Sequence, residues 1–355
     1  MSPKKQPRST DDDSATPVVE PRSKAARKET PPAAAEKLAS RKVSNTSAAV
    51  TEEQILASTV PFVRTTKDKD HNSKTTLKII AWNVAGLRAL LKKDGNPLQT
   101  LIDTQQPDIL CLQETKLSDP IEAAKTGVIA GYTFTDSIST AKKGYSGTRT
   151  YVKDNMNYNV SHVAGFRVLA TETPKEDEEG RVLTTIIDKD GSKIALVNSY
   201  VPNSGMTLDR LDYRTETYDP MVRKLLADLH TRVGAGGSVI WTGDLNVAER
   251  DYDRYFATNF KAMQKVPGFT PEERASFRRT LAETNMVDSF RHLYPNAAGA
   301  YSFWSAKFNS KAKGNGWRLD YFVVSQALAD RVVDSFMLPD VAGSDHCPIV
   351  LWLKK

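Results

Sequence analysis

Near its C-terminus the chain reads Gly343-Ser344-Asp345-His346-Cys347-Pro348, and the apolar run Ile349 to Leu353 follows directly. A second polar segment, Gly243-Asp244-Leu245-Asn246, follows the apolar run Ser238 to Trp241. Each apolar run has the length and composition of a buried strand. The polar side chains are therefore expected at the edge of a sheet, where side chains from several strands converge on a cleft.

Polar residues also follow other strand-like runs of the sequence. They are Asn83 after Leu77 to Trp82, Glu114 after Ile109 to Leu112, Tyr200 and Asn203 near the end of the run that begins at Ile194, and Asp320 after Trp317 to Leu319. Taken singly, an Asp or Asn after a strand is more often a turn-former or a helix cap than a ligand. The recurrence of one residue class at all of these strand ends favours a shared site instead.

The chemistry of these polar groups favours a hard metal ion. Carboxylate and amide oxygens suit Mg²⁺ or Mn²⁺, and the chain offers no Cys/His set of the kind that a zinc site uses. An acyl-transfer triad does not explain Ser344, Asp345 and His346. Adjacent residues of an extended segment point to opposite faces, and no Gly-x-Ser-x-Gly elbow is present. The pattern indicates hydrolysis of a phosphate ester on a magnesium site.

Short motifs occur throughout residues 76 to 355. They are Trp82-Asn83-Val84, Gly86-Leu87-Arg88, Leu112-Gln113-Glu114-Thr115-Lys116, Gly144-Tyr145-Ser146-Gly147, Tyr200-Val201-Pro202-Asn203, Gly243-Asp244-Leu245-Asn246-Val247, Gly268-Phe269-Thr270-Pro271, Asp288-Ser289-Phe290-Arg291, Gly316-Trp317-Arg318-Leu319-Asp320-Tyr321 and Ser344-Asp345-His346-Cys347-Pro348. In this order they closely resemble the exonuclease III-type apurinic/apyrimidinic (AP) endonucleases. The segments around Phe269, Arg291 and Trp317 distinguish AP endonucleases from the wider endonuclease/exonuclease/phosphatase superfamily.

The resemblance implies one α/β catalytic domain over residues 76–355, built as a four-layer α/β sandwich in which helices flank two packed mixed sheets. Residues 1–75 are rich in Lys, Arg, Pro, Ser, Thr and Ala and show no sustained hydrophobic period. Such a segment cannot bury enough apolar surface to offset the entropy of ordering. We therefore predict a disordered basic N-terminal tail.

The charge distribution separates the tail from the domain. The net charge is +4 in residues 1–75 and +2 in the remainder, together the +6 of the whole chain. Basic clusters at Lys4-Lys5, Arg22 to Lys28 and Lys37 to Lys42 are read as nuclear-import or nucleic-acid contacts, with a merely solvated tail as the alternative. A nuclear protein is expected. A mitochondrial pool stays open, although Asp11-Asp12-Asp13 is unlike an Arg-rich presequence.

The resemblance also implies an activity and its partners. The expected function is that of a DNA repair AP endonuclease in base excision repair. It would hydrolyse the phosphodiester 5′ to an abasic site with Mg²⁺, or Mn²⁺ as a substitute, and leave a 3′-hydroxyl and a 5′-deoxyribose phosphate. Side activities would be 3′-phosphodiesterase and 3′–5′ exonuclease. The expected partners are double-stranded DNA with abasic sites and other base excision repair proteins. The protein is expected to be a monomer. No membrane partner is expected, since no apolar run approaches membrane length.

Roles for the polar residues follow from the same resemblance. Metal ligands would be Glu114, Asn83, Asp345, Asp244 and Asn246. Catalytic groups would be Tyr200, Asn203, Asp244, Asn246, Asp320 and His346. Asp244 would activate the attacking water, with Tyr200 as a competitor for that role. Asn203 and Asn246 would donate to the phosphate, and Asp320 would orient His346.

The resemblance further implies a pocket and a DNA-binding face. Phe303, Trp317 and Leu319 would line a pocket for an extruded sugar that lacks a base. The DNA contacts would be Arg88, Lys92, Gly144, Tyr145, Gly147, Met206, Arg210, Tyr213 and Lys307. The alternatives are core packing for the two aromatic residues and a solvated face for the charged ones.

Three departures from the family pattern stand out. Ala85 replaces the Asp or Asn that relatives carry, which removes an oxygen group beside the expected metal site. Met206 and Lys307 occupy positions from which some relatives push Arg and Met side chains through the DNA helix. Arg149 lies in a strand that is usually small or apolar at this position, and the sequence offers no explanation for it.

Two functions of other classes compete with this interpretation. A superfamily phosphatase acting on inositol or lipid phosphates would share Glu114, Asp244 and His346 but not the aromatic pocket. A non-catalytic DNA-binding relative would be expected to have lost further catalytic groups besides the one at Ala85. Both Cys111 and Cys347 lie in apolar runs, where each is read as a small buried hydrophobe.

Overall fold

The computed structural model describes residues 61–64, 74–168, 177–255 and 260–355. In these residues two six-stranded sheets pack face to face, and helices cover their outer faces. The predicted four-layer α/β sandwich is thereby confirmed. Most of the predicted tail lies outside the described residues. No helix in the described ranges combines the length and apolar content that a membrane span requires.

The strands are numbered along the chain. They are β1 Thr76–Asn83, β2 Ile109–Gln113, β3 Tyr132–Ser137, β4 Thr148–Lys153, β5 Asn159–Ala164, β6 Val182–Lys189, β7 Ser192–Tyr200, β8 Ser238–Asp244, β9 Met286–Asp288, β10 Asp320–Ser325, β11 Val332–Met337 and β12 Ile349–Lys354. The first sheet has the order β11-β12-β1-β2-β4-β3 and the second the order β5-β6-β7-β8-β10-β9. Only β1 with β2 and β7 with β8 run parallel among these pairs, so both sheets are mixed.

The helices are numbered in the same way. They are α1 Leu87–Leu91, α2 Pro97–Gln105, α3 Pro120–Lys125, α4 Asp219–Val233, α5 Phe260–Met263, α6 Pro271–Glu283 and α7 Ser289–Leu293. A π-helical turn at Tyr213–Tyr218 leads directly into α4, and 3₁₀ turns lie at Asp251–Asp253, Lys307–Asn309 and Gln326–Arg331. The start of α6 has a capping box, because Thr270 and Glu273 bond reciprocally to each other's backbone N–H.

Alternate residues of the central strands face two different cores. In β1, Ile79 and Ala81 join the core between the sheets, where they meet residues such as Ile240 of the second sheet. Their neighbours Ile80 and Trp82 join the outer core beneath the helices. Because both faces are buried, the strand reads as a continuous apolar run rather than an alternating one. The polar residue that follows such a strand is therefore left at the edge of the sheets.

Parts of the second half of the chain differ from the sequence-based expectation. The residue pattern predicts a single helix from about Pro271 to Phe290, but α6 ends at Glu283 and a short strand separates it from α7. The pattern also predicts a strand over residues 301–305, yet only isolated bridges form there, from Phe303 to Trp317 and to His346. In both places tertiary pairing overrides the local pattern.

Arg149, which the sequence left unexplained, is a fully buried residue of β4. Its guanidinium donates to both carboxylate oxygens of Asp136 at 2.7 and 2.8 Å. It also donates to the carbonyl oxygens of Thr126 and Ala123 and lies 3.9 Å from the centroid of the Phe134 ring. The arginine therefore ties the loop after α3 to the edge of the first sheet.

The segment 61–64, which the sequence assigns to the tail, packs against the domain. The Phe62 ring lies edge-on to Phe290 and Tyr294, with centroids 5.3 and 4.9 Å apart. The Arg64 guanidinium stacks over Phe336 and forms an ion pair with Asp334, whose side chain is fully buried. The part of the chain that the domain holds therefore includes residues 61–64.

We expect Arg64→Ala to destabilise the domain, because Asp334 would remain as a buried carboxylate without its cation. The free energy of unfolding should fall by about 2–3 kcal/mol, at the lower end for a broken buried pair since Arg64 is partly exposed. Thermal denaturation of the full chain measures this. Adding Asp334→Asn should restore part of the loss. A loss no larger than that of Arg279→Ala, which removes an exposed ion pair with Glu283, would contradict the prediction.

Candidate active site

The polar strand ends of both sheets meet along one edge of the sandwich. Asp320 begins β10 directly opposite Asp244 at the end of β8, and Tyr200 ends β7 beside the same residue. From the first sheet, Asn83 ends β1, and His346 lies just before β12. Residues far apart in sequence therefore share one cleft, as the strand-end pattern predicted.

Asn83 connects the carboxylates of the two sheets. Its amide nitrogen donates to Glu114 Oε1 and to Asp244 Oδ2, both at 2.9 Å. Its amide oxygen accepts from the Ala85 backbone N–H at 3.0 Å. In this orientation Asn83 presents donors to the carboxylates and would support a metal through Glu114 rather than by its own oxygen.

Glu114 carries its charge in spite of partial burial. Burial alone would raise the pKa of Glu114, but the hydrogen bonds from Asn83 and Lys116 and the Lys116 charge outweigh it and lower the pKa. Lys116 Nζ lies 2.9 Å from Glu114 Oε2 and 3.3 Å from the carbonyl oxygen of Ala85. Sequence reasoning missed Lys116, because its motif, Leu112 to Lys116, does not by itself indicate a role for the lysine.

His346 lies between two carboxylates of the second sheet. Its Nδ1 is 2.8 Å from Asp320 Oδ2, and its Nε2 is 3.8 Å from Asp244 Oδ2. Burial alone would lower the pKa of His346, but Asp320 and Asp244 together raise it to about 10. The imidazole is therefore a buried imidazolium at neutral pH.

Asp244 titrates close to neutrality. Burial raises its pKa, the nearby positive charge of His346 opposes this, and Asp320 and Glu114 add to the rise, which brings the pKa to about 7. A carboxylate whose pKa lies near 7 can accept a proton from water and release it again near neutral pH.

Two amides extend from Asp244 across the cleft. Asn246 Nδ2 donates to the Val201 carbonyl at 2.9 Å and to Asp244 Oδ2 at 3.3 Å. Asn203 Nδ2 donates to Asn246 Oδ1 at 3.0 Å. Asn246 has a left-handed backbone with φ of 49°, a conformation that asparagine adopts more readily than most residues.

Tyr200 stays protonated in this environment. Burial and the negative charge of Glu114 raise its pKa well above the usual value, and Arg181 only partly opposes them. The Arg181 guanidinium lies 4.5 Å from the centroid of the Tyr200 ring and donates to the Tyr200 carbonyl at 3.0 Å. Sequence reasoning missed Arg181, since a lone arginine at the start of a strand resembles a surface residue.

The donor set fits a hard divalent cation. Asp244, Asp320 and His346 form a cluster whose ligand atoms all lie within 4.8 Å of one another. A protonated imidazole cannot bind a metal, so we favour the carboxylate side of the cleft, at Glu114. Asp345, the remaining predicted ligand, is near enough to His346 to raise its pKa. Its Oδ1 lies 3.3 Å from Ser344 Oγ.

The predicted pocket residues lie together next to this cluster. Phe303 faces the His346 ring with centroids 4.8 Å apart and forms a bridge to Trp317. Leu319 packs with Phe269, and both Phe303 and Trp317 contact that apolar group. The two aromatic residues are half-buried rather than part of the core. An apolar wall therefore adjoins the charged cluster.

The predicted DNA-binding residues spread over loops around the cleft. Tyr145 accepts hydrogen bonds from Arg181 and Arg210, at 2.8 and 3.1 Å. The Arg210 guanidinium lies 5.0 Å from the centroid of the Tyr213 ring. The other predicted contacts occupy exposed or loop positions. Arg88 pairs with Glu122, and Gly144 and Gly147 have positive φ. The remaining three side chains are exposed, and they are Lys92, Lys307 and Met206, the last by 85%.

The stability contributed by the His346 charge should depend on pH. Because the folded pKa is raised, this contribution is fully present below about pH 6.5 and is lost as the pH rises through about 10. His346→Gln should therefore cost about 3 kcal/mol at pH 6 and progressively less towards pH 10. Chemical denaturation in EDTA measures this, with the exposed His292→Gln as control. A cost that grows with pH would contradict the assigned charge.

Comparisons with known proteins agree with this geometry. Residues 80–346 match the Endonuclease/Exonuclease/phosphatase family. The DNA repair nuclease APEX1 of Danio rerio is 40% identical over 303 residues, 85% of this chain and 89% of the relative. A DNA-(apurinic or apyrimidinic site) endonuclease of Dictyostelium discoideum is 39% identical over 284 residues, 79% of this chain and 72% of the relative. The crystal structure of AP endonuclease LMAP from Leishmania major has a TM-score of 0.81 and 51% identity, covering 86% of this chain and 96% of that chain. The chain therefore belongs to the endonuclease/exonuclease/phosphatase family and, within it, to the AP endonucleases.

Proposed function

We propose that this protein is a DNA repair AP endonuclease. It hydrolyses the phosphodiester 5′ to an abasic site and leaves a 3′-hydroxyl and a 5′-deoxyribose phosphate, as part of base excision repair. The observation that carries the proposal is the contact between a phosphate-type site and an apolar pocket: His346 faces Asp320 and Asp244 on one side and the Phe303 ring on the other. Side activities as a 3′-phosphodiesterase and a 3′–5′ exonuclease belong to the same proposal.

In the proposed reaction, Asp244 takes the proton of the attacking water. Its pKa of about 7 suits this role, whereas the raised pKa of Tyr200 disfavours a phenolate base. Tyr200 instead acts as a neutral hydrogen-bond donor to the phosphate. Asn203 and Asn246 supply further donors as negative charge builds in the transition state.

His346 supplies a fixed positive charge. Because Nδ1–H is directed to Asp320, the Nε2–H is left to face the non-bridging oxygen of the phosphate. The burial of His346 away from water strengthens this attraction compared with the same contact in water. Asp320 keeps the ring both oriented and charged.

We propose Mg²⁺ as the cofactor, with Mn²⁺ as a substitute. Glu114 would be its principal protein ligand, assisted by Asp345, while Asn83 would hold Glu114 in place. Asp244 and Asn246 would contribute from the opposite side of the cleft. A bound divalent cation would neutralise charge on the scissile phosphate and steady the leaving oxygen.

The pocket supplies the preference for a nucleotide without a base. Phe303, Trp317 and Leu319 leave an apolar recess in which a base-bearing nucleotide would clash. The loops that carry Arg88, Tyr145, Arg210 and the other predicted contacts would hold the phosphates around the lesion. Met206, exposed beside the cleft, has the apolar character to enter the DNA helix there.

We further propose the binding partners, the oligomeric state and the cellular location of the enzyme. The partner is double-stranded DNA with abasic sites, bound by a monomer, and other base excision repair proteins act before and after it. The part of the basic tail that precedes residue 61 adds sequence-independent attraction to DNA and directs the protein to the nucleus.

The function is tested with a duplex that carries one tetrahydrofuran abasic analogue. We expect incision directly 5′ to the analogue with Mg²⁺, a 3′-hydroxyl product, and no incision in EDTA. Asp244→Asn should lower the single-turnover rate by at least about a hundredfold. A duplex without the lesion is the control. Cleavage that persists in EDTA, or preferential release of phosphate from inositol phosphates, would refute the proposal.

The metal proposal is tested at Ala85, which is half-buried and has a left-handed backbone with φ of 51°. Aspartate tolerates this conformation, so Ala85→Asp should fold and place a carboxylate near Glu114. We expect the half-saturating Mg²⁺ concentration to fall by about threefold or more, with a modest change in maximal rate. Ala89→Asp, exposed on α1, is the charge-matched control. An equal effect of both variants, or none, would exclude a ligand position at residue 85.

A further inference from the structure

A buried ion pair outside the cleft holds three of its loops together. Arg214, from the π-helical turn, and Glu273, from α6, are almost completely buried and lie 3.4 Å apart between Nη1 and Oε1. Neither residue faces the phosphate site, and the proposed reaction gives no step to either. Their hydrogen bonds, however, go to the loops that carry the reactive amides and the pocket.

Arg214 binds backbone carbonyls next to both amide residues. Its Nη1 donates to the Asn246 carbonyl at 2.6 Å and approaches the Pro202 carbonyl at 3.3 Å. Its Nη2 donates to the Leu245 carbonyl at 2.7 Å. Pro202 directly precedes Asn203, so one guanidinium spans the loop after β7 and the loop after β8.

Glu273 extends the same link to the pocket. Its Oε1 accepts from Ser204 Oγ at 2.6 Å, next to Asn203 in the first loop. Its Oε2 accepts from the backbone N–H of Gly268 at 2.7 Å and from Thr270, on either side of Phe269, the buried ring that packs with the pocket residue Leu319. The pair therefore joins the two amide loops to one wall of the pocket.

The link matters because Asn246 has an uncommon backbone geometry. Asn246 is left-handed, and the Arg214 bond ends on its own carbonyl oxygen. Three carbonyls in a buried region would lose their charged donor if the guanidinium were removed. The Asn246 amide could then rotate away from Asp244, although nothing in the cleft itself had changed.

We propose that Arg214 and Glu273 are a positioning pair for the reaction. They hold the Asn203 and Asn246 amides and the pocket wall at the spacing that the transition state requires, without touching the DNA. A small displacement of such groups costs up to about a hundredfold in rate. The inference rests on the proposed function, since it concerns the rate of that incision.

The test compares Arg214→Lys with Arg149→Lys. Both parents are buried arginines that bond a carboxylate and at least two backbone carbonyls, but the Arg149 side chain donates to Asp136, Thr126, Ala123 and the Tyr151 hydroxyl, none of which lies in a loop that carries the reactive amides or the pocket. With Mg²⁺ and the abasic duplex, Arg214→Lys should lower the single-turnover rate by about ten- to a hundredfold. Its Kd for the duplex, measured in EDTA, should stay within about threefold of the unmodified protein. Arg149→Lys should lower only the melting temperature.

A second variant keeps the test possible if Arg214→Lys does not fold. Glu273→Gln keeps the shape of the side chain but removes its charge. Like Arg214→Lys, it should lower the single-turnover rate and leave the Kd for the duplex nearly unchanged, but its loss of rate should be smaller. Millimolar guanidinium should restore part of the rate to Arg214→Ala and none to Arg149→Ala. If the rate falls and the Kd rises in proportion, or if both arginine sites lose rate equally, the pair is merely structural. Absence of incision by the unmodified protein would instead refute the proposed function.

Discussion

A buried imidazolium between two carboxylates sets the geometry of this protein. His346 precedes a strand of the first sheet, whereas Asp320 and Asp244 belong to the second. A buried charge is tolerated only when opposite charges and hydrogen bonds compensate it. The two sheets must therefore meet with this edge aligned, and the same alignment brings Asn83 and Glu114 to Asp244. The cleft is a consequence of charge compensation between sheets whose other contacts are largely apolar.

Buried arginines stabilise the irregular segments around that cleft. Arg318, between Trp317 and Leu319, donates to both oxygens of Asp253 at 2.8 and 2.9 Å and to Asp288 at 2.7 Å. Arg149, Arg181 and Arg214 are buried as well, and each donates to a carboxylate and to at least one backbone carbonyl. Loop carbonyls have no ladder partner, and a planar group with five N–H donors satisfies several of them at once. Arg254 differs: it stacks on Trp317, and among the described residues no acceptor reaches its Nε or Nη1.

Prediction from sequence succeeded where the signal is local. Strands buried on both faces read as apolar runs, so their ends and the polar residues there were found at Asn83, Glu114, Asp244 and His346. The break between α6 and α7 was missed, because β9 is short and forms only by pairing with β10. Arg181 and Arg214 were missed as well. A lone arginine carries no local sign of burial, since its partners come from distant segments.

The amino-acid sequence by itself determined the strand-like runs that end in polar residues, the hard-oxygen chemistry at those ends and, through its motifs, the family. Tertiary structure alone decided the protonation of the site: a pKa of about 7 at Asp244, about 10 at His346 and well above the usual value at Tyr200. It also decided that Asn83 turns its N–H groups, rather than its oxygen, towards the carboxylates. These properties depend on burial and on charges a few ångströms away. The neighbours that supply them are separated along the chain by up to 161 residues, as Asn83 and Asp244 are.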